Sequence, residues 1–167
     1  EIVSVQDGTY RESIAAGNVL LFGIRACDMC GILQSTSFMT RDRTDVYYKA
    51  KKDAAITVVM ACPAPQTETC FCTTTQSGPV AVKGFDLQLY DMGDCFLIEI
   101  GSPKGESAIE GISLGEVDEE SAHLKIEAFR QESIRKFPVE AAITKAMAKL
   151  KDRTADESVW ERFGDKC

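Results

Sequence analysis

The chain has 167 residues, a formal net charge of −7, and 44% hydrophobic and 27% charged residues, an ordinary balance for a globular protein with one main core. No stretch approaches the roughly 20 apolar residues that span a bilayer. No basic stripe with interleaved aromatic residues would follow a phosphate backbone, so nucleic acid is not expected as a partner. No positively charged, apolar leader opens the chain, and a cytoplasmic location is expected.

The first half of the chain predicts a strand, a helical region and a second strand. The run NVLLFGI, residues 18–24, is continuously apolar, which is typical of a strand covered on both faces. A helical period follows, with Asp28 as the expected N-cap, and residues 45–54 are rich in helix formers. The β-branched run at 55–62 predicts a second buried strand. Together these elements predict a βαβ unit with a parallel strand pair.

The rest of the chain predicts a hairpin and then helices. Two alternating runs at 84–101 flank the turn DMGD, a β-hairpin pattern, so the sheet is expected to be mixed. Apolar spacing predicts a helix over 118–137, a second one beginning at Pro138, and a short one at the end. The expected fold class is α/β, with α+β as the alternative. We expect a mixed α/β domain over residues 1–115 and a helical extension over 116–167.

Seven cysteines are the most informative residues, and they are Cys27, Cys30, Cys62, Cys70, Cys72, Cys95 and Cys167. An odd number fits a fully paired disulfide framework poorly, so reduced thiols or metal ligands are favoured. A free cysteine can also be simply a small buried apolar group. We expect that role for Cys95, which begins the apolar run CFLIEI.

Four of these cysteines follow the two predicted parallel strands. Cys27 follows the first strand, Cys62 ends the second, and Cys70 and Cys72 lie in the polar loop after it. The carboxyl ends of neighbouring parallel strands meet at one edge of the sheet, so four sulfurs could converge there. A 4Fe-4S cluster or a zinc ion would each take four thiolates, and the spacing matches neither common ferredoxin pattern. The residues alone leave a cluster, zinc and plain buried thiols open.

Several short motifs in a fixed order carry a family resemblance. They are GIRACD at 23–28, YYKAKKD at 47–53, ETCFCTT at 68–74, the Gly-Pro pair at 78–79, and GFDLQLYDMGDCFLIEIGSPKGE from residue 84. This stretch resembles the iron-sulfur subunit family that includes the β subunits of soluble nickel-iron hydrogenases and the A subunit of anaerobic sulfite reductase. The resemblance runs from about residue 19 to 105, and more loosely through SVWERFGDKC at 158–167.

The resemblance implies an electron-transfer role rather than catalysis by this chain. In that family a domain of this kind precedes a ferredoxin-like module, expected here from about Cys167, and the subunit passes electrons between a flavoprotein subunit and a catalytic one. The implied ligands of a 4Fe-4S cluster are Cys27, Cys62, Cys70 and Cys72. Two residues depart from the family pattern, Cys30 and Cys95. Cys30 forms a C-x2-C spacing with Cys27 and could replace one ligand.

Arg25, two positions before Cys27, could donate hydrogen bonds to a cluster sulfur and raise its reduction potential. The alternative is a structural arginine paired with an acid such as Asp28. For the chain as a whole, the alternative to electron relay is a docking domain with zinc or with no metal.

Overall fold

The computed structural model describes residues 3–12, 14, 17–137, 141–152 and 157–164. Its elements in chain order are β1 (Val3–Gln6), β2 (Thr9–Glu12), β3 (Val19–Ile24), α1 (Ala26–Thr40), α2 (Val46–Ala54), β4 (Ala55–Met60), β5 (Leu87–Asp91), β6 (Phe96–Ile100), α3 (Pro103–Ala108), α4 (Glu119–Lys136), α5 (Ala141–Lys151) and α6 (Glu157–Gly164). Pro138 and Cys167 lie outside the described residues.

The main sheet has four strands in the order β3-β4-β5-β6. The pairs β3–β4 and β4–β5 are parallel, with Leu20 opposite Ile56 and Val58 opposite Leu87, whereas β5 and β6 form an antiparallel hairpin. This confirms the expected mixed α/β sheet with its βαβ unit, its hairpin and a helical C-terminal portion. None of the helices in the described part of the chain is long and apolar enough to cross a membrane.

The two parallel strands differ in burial. β4 is central and nearly all buried, as its β-branched run predicts. β3 is an edge strand with all but its last residue exposed, so the prediction that both its faces are covered is wrong. The exposed fractions are 48% for Val19, 59% for Leu20, 37% for Leu21 and 66% for Phe22. A continuous apolar run fits an edge strand and a central strand equally well, because it does not specify the number of strand neighbours.

Two local features were not anticipated by the sequence patterns. β1 and β2 form a separate antiparallel hairpin whose turn uses Asp7 and Gly8 at positive φ, a conformation that Asp and Gly tolerate. Helix α1 begins at Ala26, so Asp28 lies in its first turn and the prediction of Asp28 as N-cap is wrong. The Asp28 carboxylate instead accepts a hydrogen bond from the backbone N–H of Arg25 at 2.9 Å.

Two apolar clusters lie among the described residues. The first joins α1 to the sheet through Met29, Val59 and Phe85. The second brings α4 onto the sheet, and the Tyr90 and Phe129 rings meet edge to face at 5.3 Å. The long loop from β4 to β5 therefore lies between two packed regions.

Asp86 joins the end of that loop to β4 and α3. Its carboxylate accepts hydrogen bonds from the Thr57 backbone N–H at 2.8 Å and from the Thr57 and Ser102 hydroxyls, and the Lys104 ammonium lies at 3.6 Å. At Gly105 a Cβ atom would come within 2.0 Å of the Asp86 carbonyl oxygen, so only glycine permits this approach of α3. Burial opposes ionisation of Asp86, but the hydrogen bonds from Ser102 and Thr57 and the charge of Lys104 together hold its pKa below the usual value.

Replacing Asp86 with Asn is expected to lower the free energy of unfolding by about 1–3 kcal/mol at pH 7, because an amide NH2 cannot accept these hydrogen bonds. The folded-state pKa of Asp86 is lowered, so its stabilisation is complete above the unfolded pKa of about 3.9 and is lost as pH falls through the folded value. Urea unfolding at pH 7, 5, 4 and 3 should show the difference between wild type and Asp86→Asn shrinking towards acid pH. Asp94→Asn, at an exposed position in the nearby hairpin turn, is the matched control. A difference that grows towards pH 3 would contradict this role of Asp86.

Candidate metal centre

Four cysteines lie beyond the carboxyl ends of β3 and β4. Cys27 is in the first turn of α1, directly after β3, and Cys62 follows β4. Cys70 and Cys72 lie in the loop from β4 to β5. Because β3 and β4 are parallel neighbours, their following loops leave the sheet at the same edge.

The charges of these thiols act on one another. The pKa of Cys72 is raised to about 11 by burial and by the negative charges of Cys27, Cys62 and Cys70. Burial likewise raises the pKa of Cys62, and the charge of Arg25 opposes that rise while those of Cys27 and Cys70 add to it. Four sulfurs therefore come within the range at which one thiolate disfavours another.

Cys70 has a different environment from its neighbours. The Thr67 hydroxyl and backbone N–H each lie 3.4 Å from its sulfur and hydrogen-bond to it. These hydrogen bonds from Thr67 lower the pKa of Cys70, and the charge of Arg25 adds a smaller effect. Donors directed at a sulfur stabilise a thiolate, the form in which cysteine binds metal.

Gly78 leaves room for the Cys72 side chain. A Cβ atom at residue 78 would lie 3.0 Å from the Cys72 sulfur and 3.4 Å from the Ala26 Cβ atom. The backbone of the returning loop can therefore approach the start of α1 closely while Cys72 lies between them.

The two remaining described cysteines are Cys30 and Cys95. The Cys30 sulfur accepts a hydrogen bond from the Gln34 side chain at 3.8 Å. Cys95 is exposed in the turn before β6, so the prediction that it is a buried apolar group is wrong. Strand β6 begins one residue later, at Phe96.

As they stand, the thiols do not form a ready-made site for a single ion. Among residues 3–12, 14, 17–137, 141–152 and 157–164, no three His, Cys, Asp or Glu side chains are grouped to hold a metal ion. A tetrahedral zinc draws four sulfurs to about 2.3 Å from one centre. In a 4Fe-4S cube each cysteine binds a different iron, so the sulfurs stand further apart. The described thiols lack the close grouping that a single zinc ion requires.

Buried hydrogen bonds hold the returning end of the thiol loop. The Gln88 side chain accepts from the Ala81 backbone N–H at 2.8 Å and donates to the Ala81 carbonyl at 3.1 Å, as a neighbouring strand would. Its NH2 group also donates to Tyr90 at 2.8 Å and to Glu99 at 3.0 Å. At the other end of the loop, the Cys62 N–H donates to the Pro79 carbonyl at 3.1 Å. Both ends are thus fixed by backbone pairing, with Gln88 supplying one partner.

Replacing Gln88 with Leu is expected to lower the free energy of unfolding by about 2–4 kcal/mol, because it leaves the buried N–H and C=O of Ala81 unpaired. It should also accelerate alkylation of half-buried Cys62 and Cys72 in the folded, metal-free protein, while exposed Cys95 is unaffected. Urea unfolding and site-resolved mass spectrometry measure the two effects.

Gln131→Leu, on the exposed face of α4, is the matched control for the Gln88 variant. Unfolding free energies and alkylation rates that are equal for the two variants would show that Gln88 does not hold the loop.

Comparison with known proteins gives one informative similarity. The chain is 25% identical over 164 residues to the sulfhydrogenase 2 subunit beta of Pyrococcus furiosus. The alignment covers 98% of this chain and 48% of that protein, so the chain spans about half the length of this curated relative. No protein-family model matches the chain. No solved structure matches it significantly. The similarity is therefore to a hydrogenase subunit, along nearly the whole of this chain.

Proposed function

We propose that the chain is an electron-relay domain that holds a 4Fe-4S cluster through Cys27, Cys62, Cys70 and Cys72. The observation that supports this best is the placement of four thiols on two loops that leave the sheet at one edge, where the charges of neighbouring thiols add to the raised pKa values of Cys62 and Cys72. The similarity to a hydrogenase β subunit points to the same class of role. We further propose membership of the iron-sulfur subunit family of soluble hydrogenases and anaerobic sulfite reductase.

The chain's own residues have separate parts in this proposal. The four thiols lose their protons when they bind iron, and metal binding offsets the raised pKa values of Cys62 and Cys72. Thr67 donates to the Cys70 sulfur and so favours its thiolate. Once bound, a cluster supplies one-electron transfer. The Arg25 guanidinium, whose charge acts on Cys62 and Cys70, favours the reduced, more negative state.

A relay has a use only beside other redox centres. We propose a cytoplasmic complex in which this chain passes electrons between a flavoprotein and a catalytic subunit, with a ferredoxin-like module C-terminal to residues 1–167. Residues 1–115 would then form the cluster-binding domain and residues 116–167 the extension leading to that module. The contact of α4 with the sheet would connect the two parts.

Anaerobic reconstitution with iron and sulfide tests the proposed ligands. The chain should turn brown, with broad absorbance near roughly 400 nm and about four irons per chain. Cys70→Ser and Cys72→Ser should each remove most of the absorbance, because an alcohol is a poor ligand for iron. Cys27→Ser should do the same and Cys30→Ser should not, since the charge of Cys27 is among those that raise the pKa values of Cys62 and Cys72.

Cys95→Ser is the control, because Cys95 is exposed in the turn before β6. A colourless wild-type chain, or one that takes up a single zinc, would exclude the relay. Loss of colour with Cys30→Ser but not with Cys27→Ser would keep the cluster and replace one ligand.

The charge of Arg25 should be measurable in the reduction potential. Arg25→Gln is expected to lower the midpoint potential by some tens of millivolts without changing the iron content, and Arg25→Lys should lower it less because the charge is kept. Redox titration followed by electron paramagnetic resonance gives these values. Arg41→Gln, towards the opposite end of α1, removes the same charge and should have no effect. A potential that is unchanged in Arg25→Gln would assign Arg25 a structural role.

A further inference from the structure

A cleft of about 790 Å³ opens on the α1 side of the sheet, away from the thiols. Val19 and Ala55, the first residues of β3 and β4, are among its lining residues, whereas the thiols lie beyond the last residues of the same strands. Its volume is within the range of roughly 300–1,000 Å³ that is typical of small-molecule sites. It is a separate feature from the candidate metal centre.

The walls of the cleft are mainly apolar. Met29 and Phe85 are 1% and 6% exposed and form its packed side, and half-buried Ile32 packs against the same apolar cluster. On the edge-strand side, Val19 and Leu21 are 48% and 37% exposed. These two side chains are the apolar surface that a bound molecule would remove from water, and such burial stabilises a complex.

Most polar groups in the cleft already have partners. The Tyr48 hydroxyl shares a hydrogen bond with Thr36 at 2.8 Å. The Lys104 ammonium donates to the carbonyls of Asp53 and Ala55 and lies beside the Asp86 carboxylate. These groups shape the wall and leave no charge to be neutralised.

Lys51 and Lys52 are different. Both line the cleft from α2, and no described residue forms an ion pair or a side-chain hydrogen bond with either ammonium group. The neighbouring Asp53 carboxylate is paired with Lys49, and the charge of Lys52 also acts on it without a direct ion pair. In a chain of net charge −7, two cations that line an apolar cleft without a direct ion pair or hydrogen bond attract an anion that carries an apolar body.

We propose that this cleft binds an amphipathic organic anion, a carboxylate on a hydrocarbon chain, with the carboxylate at Lys51 and Lys52 and the chain against Val19, Leu21 and Met29. The ligand needs a hydrocarbon chain, because a small polar anion would leave the apolar side chains of the cleft wall exposed to water. The positive charges of the two lysines favour a negatively charged head group. The proposal does not depend on iron binding at the thiols.

Calorimetric titration with dodecanoate, below its micelle concentration, tests the site directly. We expect saturable 1:1 binding, at least tenfold weaker binding of acetate, and at least tenfold weaker binding of dodecyltrimethylammonium, which carries the same chain with the opposite charge. Absence of saturable dodecanoate binding, or equal binding of the cation, would overturn the proposal.

Two variants with matched charge locate the site. Lys51→Gln with Lys52→Gln should weaken dodecanoate binding at least tenfold, whereas Lys83→Gln with Lys125→Gln, which removes two lysines outside this cleft, should leave it unchanged. Circular dichroism confirms that both variants are folded. Leu21→Gln, which places a polar group in the apolar wall, should also weaken dodecanoate binding. Unchanged binding in the Lys51 and Lys52 variant would overturn the assignment.

A lipid surface offers the same chemistry as a free anion. Cosedimentation with phosphatidylglycerol vesicles distinguishes the two sources, and we expect no cosedimentation because the cleft admits a chain and not a bilayer. Cosedimentation that is lost in the Lys51 and Lys52 variant would overturn a free anion as the ligand.

Discussion

The parallel pairing of β3 with β4 is the constraint on which the rest of the structure depends. Backbone register between Val19 and Ala55, continued to Ile24 and Val59, makes both strands end at the same edge of the sheet. Cys27 and Cys62 become neighbours for that reason alone, although 34 residues separate them in the sequence. The amino ends of the same strands are brought together too, and the cleft opens beside them. One pairing thus creates two separate surfaces.

The long loop between β4 and β5 contains no helix or strand, and side chains supply part of the hydrogen bonding of its backbone. Gln88 pairs with both backbone groups of Ala81, and Asp86 accepts from the N–H of Thr57. Polar groups that are buried and fully paired stabilise one loop conformation over alternatives. In the described part of the chain, no buried side-chain nitrogen or oxygen lacks a hydrogen-bond partner. Cys70 and Cys72 therefore lie on an irregular segment that is held from both ends.

The sequence patterns predicted the strands and helices more accurately than the burial and contacts of their residues. The β-branched run of β4 and the alternation around DMGD correctly predicted a buried strand and a hairpin. The prediction that β3 is buried was wrong, because an apolar run does not indicate whether a strand has one neighbouring strand or two. The prediction that Cys95 is buried was wrong because the first residue of an apolar run can still belong to the preceding turn. The roles of Gln88, Asp86 and the unpaired Lys51 could not be predicted, since each depends on contacts between residues distant in sequence.

The central claim is that four thiolates hold several irons rather than one. X-ray absorption at the iron edge of the reconstituted chain tests this most directly, because it records the atoms around each iron. A 4Fe-4S cluster should give a shell of sulfur neighbours together with a second shell of iron neighbours. A sulfur shell without iron neighbours, or a shell of oxygen and nitrogen, would contradict it.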